Sequence, residues 1–148
     1  MKSFVIDSNI VWSTAYNPKS EIGQVILLSE PAAITFFAPE YLKVEVERHI
    51  PKIVQLSGLT EEQIRETIGL AYTRISFIAD AQIPYEFYAR TAPLVRDVDP
   101  DDLPFVALAD YLGLRLWSGD TALRKGLRAK GYTNVFSFQE IKAELIRK

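Results

Sequence analysis

The feature that most constrains this chain is a repeating alternation of short apolar runs, each cut off by a turn or acidic residue, with longer stretches of helical period. Phe4-Val5-Ile6 stops at Asp7, Ile34 to Ala38 stops at Pro39, Leu114 to Ser118 stops at Gly119-Asp120, and Val135 to Phe138 forms a fourth run. Runs this short, bounded by turn signals, read as buried strands. Between them Glu21 to Ser29, Glu40 to Val54, Thr60 to Ser76, Tyr85 to Val95, Leu103 to Leu112 and Thr121 to Lys130 are predicted helices, with a last helix at the C-terminus and a loop between Asp7 and Glu21. Strands alternating with helices imply a parallel sheet covered on both faces, so the expected fold class is α/β, a single-domain α/β/α sandwich over residues 1–148.

Local signals agree with this reading. Thr60-Glu61-Glu62-Gln63 is a capping box, in which hydroxyl and amide satisfy the first orphan N–H groups, and Leu59 and Ile64 are spaced as a hydrophobic staple. Pro104 sits in the first turn of its helix, where a missing N–H costs little, and Gly113 stops that helix.

No cysteine is present, which excludes disulfides, thiolate metal sites and thiol nucleophiles and suits a reducing compartment. The first residues lack a basic segment followed by a long apolar one, and no run reaches the ~20 apolar residues of a membrane helix. The expected location is cytoplasmic, away from any membrane. A net charge of −2 argues against coating nucleic acid by bulk charge, so such contact must be local.

In an open α/β sheet, ligands bind beyond the carboxyl ends of the strands, which directs attention to Asp7 and Asp120. Either aspartate could equally cap a helix or turn the chain. Asp102 precedes Leu103 and reads as a natural N-cap, while Asp99 and Asp101 fit a solvated acidic loop. Glu45 lies only about 60° from the stripe of Leu42, Val46, His49 and Ile53 and faces inward, whereas Glu40 and Glu47 fall on the solvated half. A partly buried glutamate needs a partner or a metal. His49, the lone histidine, stands one turn away, within reach of a hydrogen bond to Glu45, and reads as a packed, supporting residue.

Two unit charges at 4 Å repel by about 4 kcal/mol at an effective dielectric of 20, so clustered carboxylates are costly without a cation. Hard oxygen donors select Mg²⁺ or Mn²⁺, and one such ion or a pair can activate water against a phosphate.

Four motifs in order, VIDSN at Val5 to Asn9, APEYLKVEVERH at Ala38 to His49, DPDDLPFVALA at Asp99 to Ala109 and LWSGD at Leu116 to Asp120, resemble the PIN domain family, which includes VapC-like toxins of toxin-antitoxin systems. The resemblance implies a metal-dependent ribonuclease with Asp7, Glu45, Asp102 and Asp120 as its acidic metal and catalytic site, oriented by Asn9 and Ser118. It implies an RNA substrate cut to a 5′-phosphate and a 3′-hydroxyl. Some family members carry a further acid after the last aspartate; here Thr121, Ala122 and Leu123 follow, leaving one or two ions open. Arg124, Lys125, Arg128 and Lys130 could hold RNA phosphates, although a solvated helix face explains them as well.

Two rivals remain at this level. One is a degenerate PIN domain that binds RNA or protein without cutting. The other is a receiver-like phosphoacceptor, in which Glu45 would have no role. A toxin role would imply a cognate antitoxin over the active-site cleft, and exposed apolar helix surface would suit a homodimer; neither follows from the residues themselves.

Overall fold

The computed structural model describes residues 2–146. Strands β1 (Lys2–Ile6), β2 (Ile34–Pro39), β3 (Ile75–Ile78), β4 (Arg115–Trp117) and β5 (Val135–Phe136) form one sheet in the order β3-β2-β1-β4-β5, every neighbouring pair parallel. Helices α1 (Ser8–Tyr16), α2 (Glu21–Leu28), α3 (Tyr41–Ser57), α4 (Glu61–Tyr72), α5 (Tyr85–Val95), α6 (Leu103–Leu112), α7 (Thr121–Ala129) and α8 (Phe138–Leu145) flank it. The expected α/β/α class is therefore the observed one. Phe4, Val5, Ile6, Leu116 and Trp117 are fully buried, as strands covered on both faces must be. The strand order also sets aside the receiver reading, because receiver folds run 2-1-3-4-5.

The order places the site. From β1 the chain steps outward to β2 and β3, then returns across β1 to β4 and β5, so the direction of winding reverses between β1 and β4. Crossovers on opposite faces part there and leave a crevice at the carboxyl ends of those two strands. Asp7 follows β1 and Asp120 follows β4.

Three local expectations are corrected. The segment after Asp7 is a helix, α1, rather than a loop. Its Ser8, Ile10, Val11, Thr14 and Ala15 are all buried, so no polar face betrays its period, and its β-branched and hydroxyl residues are weak helix formers. The helix from Thr60 ends at Tyr72, and Ile75–Ile78 is the edge strand β3, paired with β2. No glycine or proline marks that boundary; Thr73 and Arg74 close the helix through backbone bonds to Gly69, Leu70 and Ala71 instead. Finally, β5 stops at Phe136, because Ser137 caps α8 in a capping box with Glu140. The box predicted at Thr60 and Gln63 is present, with both reciprocal bonds formed.

Candidate active site

Asp7 anchors the site. It ends β1, caps α1 by accepting the Ser8 N–H at 2.8 Å, and is buried. Its Oδ2 accepts the Ser118 hydroxyl at 2.7 Å and the Asn9 amide at 3.2 Å. Ser118, fully buried at the end of β4, also accepts the Asp120 N–H at 3.0 Å and lies 3.4 Å from the Asn9 amide. The Asn9 carbonyl in turn accepts the Gly119 N–H at 2.9 Å. A Cβ on Gly119 would stand 3.2 Å from that same Asn9 side-chain oxygen, tight enough that any other residue would push Asn9 by a few tenths of an ångström. Asp7, Asn9, Ser118 and Asp120 thus form one hydrogen-bonded unit across the winding reversal.

Asp120 is both acid and cap, its Oδ1 accepting the Leu123 N–H at the start of α7. Glu45, half-buried on α3, accepts the Ser8 hydroxyl at 2.9 Å. The expected Glu45 partner was His49; that ring instead stacks on Trp12, centroids 3.6 Å apart and planes within 6°. Burial, with Lys52 nearby, holds the His49 imidazole below its usual value.

Asp102 departs most from its expected role. It closes a 3₁₀ turn (Pro100–Asp102) that runs directly into α6 with helical backbone, and its side chain makes no cap hydrogen bond. Its Oδ2 is buried with no partner among the described residues. Capping falls to Asp99, which accepts the Asp101 N–H at 3.0 Å. Asp99 and Asp101 are exposed.

The electrostatics tie these acids together. Burial pushes Asp7 up to about 6, with the Asp120 charge adding, against the opposing bonds from Ser118 and Ser8. Burial likewise pushes Glu45 up to about 7, reinforced by Asp7, Asp101 and Asp99. Asp102 rises furthest, to about 8, through burial and then Asp7, Asp99, Asp120 and Glu45. Carboxylates perturbed by burial and by one another's charge make this crevice the candidate site.

The donor set fits a hard divalent cation: carboxylate oxygens only, one of them buried and unsatisfied at Asp102. Among the described residues no three His, Asp or Glu side chains stand at ready-made metal spacing, so the acids sense one another's charge from slightly apart.

The basic residues after Asp120 are mostly engaged within the fold. Arg124 donates to the Ser118 carbonyl at 2.7 Å and to Thr121, Arg128 bridges the Val135 carbonyl and Glu140 at 2.7 Å each, and Lys130 pairs with Asp97. Lys125 is exposed and makes no ion pair among the described residues.

Ser8 and Trp12 were not singled out from the sequence. Had α1 been read as a helix, their spacing of four would have put them on one face alongside Asp7.

No curated protein sequence matches the chain. Among solved structures, VapBC2 from Rickettsia felis bound to a DNA fragment from their promoter is similar, with a TM-score of 0.68 at 13% identity, covering 91% of this chain and 98% of that one. PAE2754 from Pyrobaculum aerophilum is similar with a TM-score of 0.66 at 12% identity, covering 97% of this chain and 89% of that one. Both likenesses are likenesses of fold. The sequence model of the PIN domain matches residues 5–141, and since this takes in every strand end and acidic residue described above, the chain belongs to the PIN domain family.

Proposed function

We propose that this protein is a metal-dependent ribonuclease in which Asp7, Glu45, Asp102 and Asp120 hold one or two Mg²⁺ or Mn²⁺ ions. The observation that carries the reading is the buried Oδ2 of Asp102, without a partner among the described residues, beside three further carboxylates whose charges oppose its ionisation. Membership of the PIN domain family supports a nuclease. Such an ion supplies Lewis acidity when bound, polarising a phosphate oxygen and making water a better nucleophile near neutral pH.

The residues of the chain do the rest. Asp7 is held in one orientation by Ser118 and Asn9, so its remaining lone pairs face a fixed direction. Glu45 is steadied by Ser8, and Asp120 by its cap bond to Leu123. With a cation bound, Asp7, Glu45 and Asp102 would hold it as ionised carboxylates, because a nearby positive charge favours the charged form. Lys125 and the outer edge of Arg124 are suited to the phosphates of an RNA strand.

The VapBC2 likeness supports a further element of the proposal, restraint by a partner protein of the antitoxin kind and pairing with a second copy. The rival reading, a PIN domain that binds RNA without cutting it, is favoured by one observation, the lack of ready-made metal spacing among the described residues.

Cleavage of a labelled mixed RNA pool, with Mn²⁺ or with EDTA, tests the two readings. Asp120→Asn is the matched control, because asparagine caps a helix as well as aspartate and leaves α7 intact. Cleavage that requires metal and vanishes in the variant supports the nuclease; no cleavage together with no Mn²⁺ binding supports the binding module.

A further inference from the structure

Helices α1 and α3 lie side by side, and their contacts repeat with the helical turn. Ser8 meets Glu45, and four residues on in each helix Trp12 stacks on His49. Beyond that pair opens a cavity of about 400 Å³ lined by Trp12, Tyr16, Asn17, His49, Lys52 and Leu56, among others. The Trp12–His49 stack therefore stands about one turn, ~5.4 Å, from the Ser8–Glu45 contact, and the cavity begins at that stack and extends away from the acidic site along the same helix pair as far as Leu56.

A flat heteroaromatic ring finds aromatic faces and polar edges together there. Trp12, Tyr16 and His49 give the wall its rings beside the aliphatic Ile22, Ile53 and Leu56, and Asn17 and the exposed Lys52 add polar groups at the same cavity. Aromatic faces stack any base, and a nearby lysine meets the adjoining phosphate.

We propose that this cavity is a subsite for a nucleobase of a single-stranded RNA, one position away from the nucleotide whose phosphate meets the carboxylates. His49 and Trp12 supply the stacking surface, and Lys52 neutralises the backbone beside it. The proposal rests on the ribonuclease reading for the register of the strand, but base binding itself needs neither metal nor cleavage.

The test uses the full chain in EDTA, titrated by fluorescence anisotropy with a labelled single-stranded RNA hexamer and with an abasic hexamer of the same backbone. The base-bearing strand is expected to bind about 10-fold tighter than the abasic one. His49→Ala should abolish that preference while leaving abasic binding within about 2-fold, and His49→Phe, which restores a ring, should recover it. The single imidazole signal of His49 in the proton spectrum should shift with the base-bearing strand alone. Equal binding of the two hexamers, no binding of either, or a His49→Ala that weakens both alike overturns the subsite and leaves the cavity to a peptide. A wild type that cuts RNA with Mn²⁺ yet shows no base preference overturns the subsite alone. Base preference with no metal-dependent cleavage upholds the subsite and overturns the nuclease reading.

Discussion

Ser8 gives its hydroxyl to Oε1 of Glu45 across 2.9 Å, joining the first turn of α1 to the second turn of α3. This bond is the main influence opposing the rise of Glu45 to about 7. Ser8→Ala should therefore drive Glu45 higher still and weaken Mn²⁺ binding by about 3- to 10-fold near neutral pH, with recovery in alkaline buffer. Calorimetric titration of Mn²⁺ across that range checks it; a loss that persists unchanged in alkali would assign Ser8 to packing.

Asp102 should be a stabilising position to mutate. Replacing it by Asn removes a charge whose Oδ2 is buried without a partner among the described residues, so Asp102→Asn is expected to raise metal-free stability at slightly alkaline pH by about 1–3 kcal/mol while lowering Mn²⁺ affinity. Urea unfolding with and without Mn²⁺ measures both, and a variant less stable than wild type in EDTA would contradict the description of Asp102 as unsatisfied.

The pH dependence of the metal-free chain is dominated by the same three acids and partly opposed by His49, whose lowered imidazole adds stability as pH rises toward its unfolded value. Asp7, Glu45 and Asp102 have folded values of about 6, 7 and 8, above their ordinary 3.8, 4.5 and 3.8. Groups raised on folding contribute stability that is complete below the unfolded values and lost as pH climbs through the folded ones. Glu47, Asp97 and Glu140 are shifted the other way, so they stay ionised over this window and add no slope to it. The unfolding temperature in EDTA should accordingly fall between about pH 5 and about pH 8.5, and Mn²⁺ should flatten or invert the trend. A flat metal-free profile would count against the clustering of these acids.

Ser118 has no surface exposure, and its hydroxyl takes part in three hydrogen bonds, with Asp7, Asp120 and Asn9. Ser118→Ala should cost about 1–3 kcal/mol, a fall of roughly 3–10 °C in a chain of this length. Metal affinity should drop by about 10- to 100-fold, since Asp7 loses its orientation. Thermal melts and Mn²⁺ titration would show the two effects together; a stability loss without a metal defect would make Ser118 a purely structural residue.

Lys125 and Arg128 should behave differently despite standing on one helix. Lys125→Gln is expected to weaken RNA binding and reduce its salt slope by about 0.7, with no change in melting. Arg128→Gln breaks the bridge to Val135 and Glu140 and should lower the unfolding temperature by a few degrees instead. Equal effects on binding would return Arg128 to the RNA surface.

Three acids of the proposed site stand out by simple rules: Asp7 and Asp120 end apolar runs, and Glu45 falls on the wrong side of a helical wheel, whereas Asp102 entered only through the resemblance to the PIN domain family. What escaped is equally physical. A helix buried around most of its circumference, such as α1, carries no amphipathic period, so Ser8 and Trp12 had no face to be assigned to. Edge strand β3 follows α4 without a breaker and reads as its continuation. Asp102 looked like an ordinary cap because sequence does not distinguish an extended N-cap from a 3₁₀ entry, and only the helical backbone there withdraws the side chain from the helix end. The basic cluster after Asp120 carried the right composition, but composition is silent on carbonyls and acids that approach from distant segments.

The Asp7 and Ser118 pairing spans 111 residues of sequence. Neither partner has its orientation until β4 has been inserted beside β1, and that insertion waits for the helices between them. During synthesis, therefore, a ribosome-bound fragment that ends before β4 carries three of the four acids, Asp7, Glu45 and Asp102, but no assembled crevice. A protein that cuts RNA would in this way be inert toward the message it is being translated from, because the order of its strands withholds the site until only about the last fifth of the chain is still to be made.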